Sequence, residues 1–249
     1  MTQFLASVRG PEEAEIALRA GADIIDLKEP DRGALGAVPY GVLVETVRRI
    51  AGRAEVSATV GDLPMDPDVL EPAIARTAEA GVDYVKFGVF AGETTEACLR
   101  ALHPALKGAK LILVLFADDL PDCDVVGLAA DMGAAGVMLD TRHKGSGHLL
   151  SHMDRERLAA FIVQGRRHGL RVGLAGSLRK EHVDELLSLG PDLLGFRGAL
   201  CEASLRGGAL SEEAVREIRG LIPKEPLEEP LASSRVNPAL SADGASPIW

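Results

Sequence analysis

Regular alternation of strand-like and helix-like segments along 249 residues predicts an α/β protein, a single (β/α)8 TIM barrel with a Pro-rich C-terminal tail. Three observations lead there. Eight short apolar runs recur, each followed by a stretch with helical spacing; glycine punctuates the joins; and the length is close to the roughly 250 residues usual for one such barrel.

The first strand is expected at Phe4–Val8, and the helix after it opens with Pro11, Glu12 and Glu13 and closes at Gly21. Proline in the first helical position, acids in the first turn and glycine past the last turn are the standard punctuation. Further strands are expected at Ile24–Lys28, Glu55–Val60, Tyr84–Val89, Lys110–Phe116, Gly136–Thr141, Arg171–Ala175 and Leu193–Arg197. The intervening helices fall at Val42–Ile50, Pro67–Ala80, Thr95–Leu106, Val125–Met132, Arg155–His168 and Glu181–Leu189, with Glu212–Ile222 last. Residues 1–222 are thus read as the barrel and 223–249 as an extended or disordered tail, which holds five of the 14 prolines and the only tryptophan, Trp249. Trp249 is a candidate anchor on a neighbouring subunit.

Composition excludes several classes. With a formal net charge of -10, nonspecific nucleic-acid binding is not expected. No apolar run approaches the roughly 18 residues of a membrane helix, and no basic stretch followed by a long apolar one suggests a cleaved leader. Cys98, Cys123 and Cys201 are three, widely spaced and without a C-x-x-C, so neither a disulfide framework nor a cysteine zinc site is expected. A cytoplasmic enzyme without membrane or nucleic-acid partners fits, and symmetric assembly into a homo-oligomer is the common outcome.

The informative residues are two lysines on runs that should be buried, Lys28 after Ile24-Ile25-Asp26-Leu27 and Lys86 within Tyr84-Val85-Lys86-Phe87-Gly88. Charges are rarely buried unless paired or used. The junctions Ala20-Gly21-Ala22-Asp23, Ala80-Gly81-Val82-Asp83 and Leu189-Gly190-Pro191-Asp192 form a weak repeat, with Met132-Gly133-Ala134-Ala135 a looser copy, although glycine ends most helices anyway. Lys28, Asp140 and Arg197 lie seven residues past their junction glycines, and Asp26 and Lys86 five past theirs, with the junction before Asp140 open between Gly133 and Gly136. Odd offsets put all five side chains on one strand face. If that face is the barrel interior, they converge at the C-terminal mouth where such barrels carry their chemistry. The plainer alternative is a set of ion pairs plugging the barrel.

Paired amines suit a carbonyl substrate, with Lys28 the first candidate for a Schiff base and Lys86 its neighbour or the proton-transfer amine. Two ammonium groups about 6 Å apart at an effective dielectric of about 20 repel by about 2.8 kcal/mol, enough to make either more reactive. Asp26 and Asp140 oppose that shift and are expected to orient the amines or handle hydroxyl protons. After the sixth strand, Asp140-Thr141-Arg142-His143-Lys144-Gly145-Ser146-Gly147 reads as a polar loop able to bring Lys144 to an anionic substrate, or simply as solvated surface. No metal is expected: His143, His148 and His152 lack ligand spacing. Gly176-Ser177, Arg197-Gly198 and Arg206-Gly207-Gly208 lie in the last two loops, where barrels usually hold phosphate, so Gly176, Ser177, Arg197 and Gly198 are candidate phosphate ligands of a phosphorylated substrate. No nucleotide-binding motif appears, and no cofactor is expected.

The blocks Gly21–Pro30, Gly33–Ala37, Ser57–Asp62, Asp83–Gly88, Met138–Thr141 and Leu174–Leu178, in order across Phe4–Ile222, resemble those of (5-formylfuran-3-yl)methyl phosphate synthase. The resemblance implies a barrel lyase of the pathway to the furan of methanofuran, in methanogens and in methylotrophs using a related one-carbon carrier. In that family two molecules of glyceraldehyde 3-phosphate yield one furan aldehyde phosphate, one phosphate and two waters. Carried over by motif, Lys28 forms the Schiff base, Lys86 accepts the proton, and Asp26, Asp140 and Lys144 complete the site. The chemistry implied is an iminium that lets an alpha proton and then phosphate leave, followed by addition to the second aldehyde and ring closure. Two alternatives stand beside it: a class I aldolase acting on a phosphorylated sugar, and a noncatalytic phosphosugar-binding barrel.

Overall fold

In a computed structural model, which describes residues 1–102, 108–143 and 145–224, the eight strands close into one parallel barrel in sequence order. Lys144 and the expected tail from residue 225 onward lie outside the described residues. The strands are β1 (Gln3–Val8), β2 (Ile24–Leu27), β3 (Glu55–Thr59), β4 (Tyr84–Val89), β5 (Lys110–Phe116), β6 (Gly136–Asp140), β7 (Arg171–Leu174) and β8 (Leu193–Phe196). The helices are α1 (Pro11–Arg19), α2 (Tyr40–Ile50), α3 (Pro67–Glu79), α4 (Thr95–Ala101), α5 (Val125–Asp131), α6 (Leu149–His152), α7 (Arg155–Arg167), α8 (Val183–Leu187) and α9 (Glu212–Leu221). Expected and observed strand ends agree within one residue. The single turn α6 was not expected, and the helix expected over Glu181–Leu189 begins as a 3-10 turn at Lys180–His182.

Local chemistry accounts for the element starts. Pro11 and Pro67 occupy first-turn positions, and the side chains of Asp66, Asp124, Asp154 and Ser211 cap α3, α5, α7 and α9 by accepting from backbone N–H groups. Each capped donor is one of those a helix cannot satisfy internally. Gly133 has φ +73° directly after α5, which settles it as the junction preceding Asp140.

Two apolar layers result from strand alternation. Outward residues such as Phe4, Ile25, Val85, Leu113 and Leu139 pack beneath the helices, whereas Leu5, Ile24, Tyr84, Ile112, Val114, Met138 and Leu193 fill the barrel interior. Glycines make room inside: a Cβ on Gly173 would sit 2.6 Å from Leu193, and one on Gly195 2.8 Å from Met138.

The loop after β2 folds inward over the mouth. Its Leu35 joins the interior layer, its Ala34 and Leu35 amides both donate to the Asp62 carboxylate at 2.8 Å, and Glu29 N–H donates to the Gly36 carbonyl at 2.7 Å. A Cβ on Gly36 would lie 2.2 Å from the Glu29 oxygen and 2.9 Å from the Arg32 carbonyl carbon, both backbone atoms that cannot swing aside. Gly36→Ala is therefore expected to break the Glu29–Gly36 bond and lower stability by about 1–3 kcal/mol, read as a lower urea midpoint at unchanged slope.

Candidate active site

Register decides which polar side chains meet. Across β1, β2 and β3, Ser7 pairs with Asp26 and Asp26 with Ser57, so three inward side chains lie abreast. Ser7 Oγ donates to Asp26 Oδ2 at 2.9 Å and Ser57 Oγ to Oδ1 at 2.6 Å. From β4, Lys86 Nζ reaches the same Oδ1 at 3.0 Å. Asp26 is thereby surrounded by donors at zero solvent exposure.

Lys28, just past β2 and on the same face as Asp26, turns to the other side of the mouth. Its Nζ lies 3.4 Å from Asp140 Oδ2 at the end of β6, whose Oδ1 accepts from the Thr141 amide at 2.7 Å. Lys28 is 7% exposed, Lys86 3% and Asp140 4%. Both amines and Asp140 line one cavity of about 420 Å³ at the C-terminal mouth. The two ammonium groups are not left to repel each other bare, because each has a carboxylate in contact and the Lys28 charge also acts on Asp26. Burial alone would raise the Asp26 carboxyl, but the charges of Lys86 and Lys28 and the Ser57 and Lys86 hydrogen bonds outweigh it and hold the group below its ordinary value.

The remaining wall comes from the last two βα loops. Gly176, Ser177, Leu178 and Arg179 follow β7, and Arg197, Gly198 and Ala199 follow β8. Gly176 has φ +107°, and a Cβ there would press on Thr141 and Asp140 backbone atoms at 3.1–3.2 Å; only glycine lets these loops approach so closely. Ser177 itself takes φ 50°, a conformation that turns the loop back toward the cavity.

Arg197 lines this cavity, yet all its N–H groups are engaged within the chain. Nε donates to the Arg206 carbonyl at 2.8 Å, Nη1 to the Ser7 carbonyl at 3.2 Å and to Glu13 at 2.5 Å, and Nη2 to Glu13 at 3.2 Å and to the Gly208 carbonyl at 3.1 Å. That count fills a guanidinium's five donors. Its geometry is that of a clamp on the last loop, and the other guanidinium groups lining the cavity are those of Arg179 and Arg206. Arg206 carries no periodicity or junction signal, so the sequence singled out only its run with Gly207 and Gly208. Among the described residues no group of three or more His, Cys, Asp and Glu could hold a metal ion, and no helix is long and apolar enough to cross a membrane.

Replacing Asp26 by Asn leaves Lys86 buried without its counter-charge, for which about 3–5 kcal/mol of stability is expected to be lost at neutral pH. Because the folded Asp26 carboxyl titrates below its unfolded value, that advantage exists above the unfolded value and disappears as pH falls through the folded one. The gap between wild-type and Asp26→Asn unfolding free energies should accordingly narrow below about pH 4.

The barrel is shared with many proteins. A phosphoribosyl anthranilate isomerase from Thermus thermophilus superposes with a TM-score of 0.61 at 19% identity, covering 89% of this chain and 98% of that one, a likeness of fold. Sequence relatives are more specific. A protein of Methylorubrum extorquens provisionally named a (5-formylfuran-3-yl)methyl phosphate synthase is 45% identical over 215 residues, covering 86% of this chain and 89% of its own length. The (5-formylfuran-3-yl)methyl phosphate synthase of Methanopyrus kandleri is 35% identical over 229 residues, covering 87% of this chain and 97% of its own. The family model described as 4-HFC-P synthase matches residues 4–219, from the second residue of β1 into α9, and takes in every charged residue named above at the mouth. This chain belongs to the 4-HFC-P synthase family.

Proposed function

We propose that the chain condenses two molecules of glyceraldehyde 3-phosphate into (5-formylfuran-3-yl)methyl phosphate through a Schiff base on Lys28, supplying the furan of methanofuran or a related one-carbon carrier. The observation that carries this reading is the pair of buried lysines, each against its own aspartate, lining a single cavity in a chain of this family.

In this reading Lys28 Nζ adds to the aldehyde carbon C1 and water leaves, with Asp140 handling the hydroxyl proton, to give an iminium. Lys86, in its unprotonated form, takes the proton from C2; the freed pair forms the C1–C2 double bond as the C–N π pair moves onto nitrogen, giving an enamine. The enamine expels phosphate from C3: the C3–O bond breaks with its electrons on oxygen, the iminium reforms, and Lys86 returns its proton to the phosphate. What remains is an enol with a nucleophilic C3. The product carries its phosphomethyl group one ring carbon away from the carbon next to oxygen, which fixes the new bond between C3 of the first triose and C2 of the second. The second triose therefore reacts as its 2-keto isomer, and addition is to that ketone rather than to the aldehyde expected above. Its C1 hydroxyl then closes onto C2 of the first unit, two waters leave, and hydrolysis frees Lys28. One phosphate and two waters balance the two trioses.

Asp26 positions Lys86, and Lys144, four residues past Asp140 in the sequence, is a further catalytic candidate. The Gly176, Ser177 and Gly198 backbones offer amides to phosphate, with Arg197 fixing the loop that carries Gly198. A cytoplasmic homo-oligomer with a separate tail at 223–249 belongs to the same reading.

Incubation with glyceraldehyde 3-phosphate is expected to release inorganic phosphate together with a rise in ultraviolet absorbance from an aromatic aldehyde. Borohydride should trap a covalent adduct in the wild type and none in Lys28→Ala. Lys86→Gln should keep the adduct while phosphate release slows by about 10²–10⁴. Carbon–carbon cleavage without phosphate release would instead identify an aldolase, and ligand-induced stabilisation with no adduct a binding protein.

A further inference from the structure

Two phosphorylated trioses in one cavity need two places for a dianion, one retained through the reaction and one emptied in every turnover. Three arginines line the cavity, and Arg197 has no donor left for either phosphate. Arg206 differs. Its Nη2 donates to the Gly33 carbonyl at 2.9 Å, which ties the loop after β8 to the loop after β2 across the mouth, and among the described residues no carboxylate contacts its guanidinium.

Three acids act on Arg206 from a distance, and each is already satisfied elsewhere. Asp140 contacts Lys28, Asp31 contacts Arg9, and Asp62 takes the Ala34 and Leu35 amides. Burial pushes the guanidinium below its ordinary value, with these acids opposing; the group stays charged because arginine titrates so high. A half-buried guanidinium facing a cavity without an ion-pair partner is suited to a tetrahedral oxyanion, which its planar fork can grip through two parallel bonds.

Position separates the two open arginines. Arg206 is within electrostatic reach of Asp140, the partner of Lys28. Arg179 stands on the side of the loop after β7, where its charge acts on His182 and its own N–H donates to His182 Nδ1. We propose that the cavity holds two unequal phosphate positions: Arg206 grips the phosphate of the triose on Lys28, the one expelled, while Arg179 and the amides around Ser177 hold the phosphate that is kept. The inference rests on the synthase reading for its assignment of departing and retained groups. Arg206 then follows the leaving oxygen as negative charge gathers on it, so its contribution grows as the C3–O bond breaks.

Imine trapping separates binding of the phosphate from building of the loop. With Arg206→Gln, the glyceraldehyde 3-phosphate concentration giving half-maximal borohydride trapping is expected to rise about tenfold or more, while that for unphosphorylated glyceraldehyde moves less than about twofold. Arg206→Lys should recover part of the loss, and Arg179→Gln should leave first-triose trapping unchanged yet slow product formation. Equal weakening of both aldehydes in Arg206→Gln would assign the residue a purely structural role and overturn the proposal. Titration with inorganic phosphate needs no imine: two equivalents are expected in the wild type and one in Arg206→Gln. Unchanged stoichiometry in the variant would sink the idea even if the trapping arm is silent. A wild type that binds two phosphates yet traps no imine would reject the Lys28 chemistry alone.

Discussion

The constraint on which this mouth depends is electrical: two ammonium groups have been taken into a barrel whose middle layer is apolar. Leaving either unpaired would cost several kcal/mol or more, so the strands must deliver carboxylates to meet them. They do so through register. Ser7, Asp26 and Ser57 fall abreast on adjacent strands, and Lys86 completes the shell around Asp26. A slip of one residue in β2 would turn both Asp26 and Lys28 outward beneath the helices, away from Lys86 and Asp140. The ion pairs thus specify the alignment of the strands.

That specification was visible in the chain before folding. Strand boundaries could be placed because apolar runs, helix-opening prolines and junction glycines are local signals, and the odd spacing from Gly21, Gly81, Gly133 and Gly190 follows from the two-residue pleat. Local signals also set the limit. Glu13 is 184 residues from Arg197, so nothing near Arg197 announced that its fork is already filled. Arg206 sits in an irregular loop with no period to phase it. The segment Gly33–Ala37 gave its family likeness in sequence, but its inward fold over the barrel rests on Asp62, which belongs to the next βα unit.

The arrangement also shows why a barrel suits this cluster. Lys86 sits within β4 and Asp140 at the end of β6, with Lys28 just beyond β2, while glycines let the surrounding loops approach closely. Regular strands thus hold the amines and irregular loops form the rim around them.

The fork between Arg197 and Glu13 joins the final strand to the first helix, and the pairing of β8 with β1 closes the ring at the same place. A chain emerging from the ribosome has both lysines early, but it lacks this seam until nearly all of the barrel has been synthesised. A half-made chain therefore has no closed ring around the two lysines, and the cavity that encloses them is complete only once the last strand docks. The enclosure of both amines thus waits on the end of the chain's own translation.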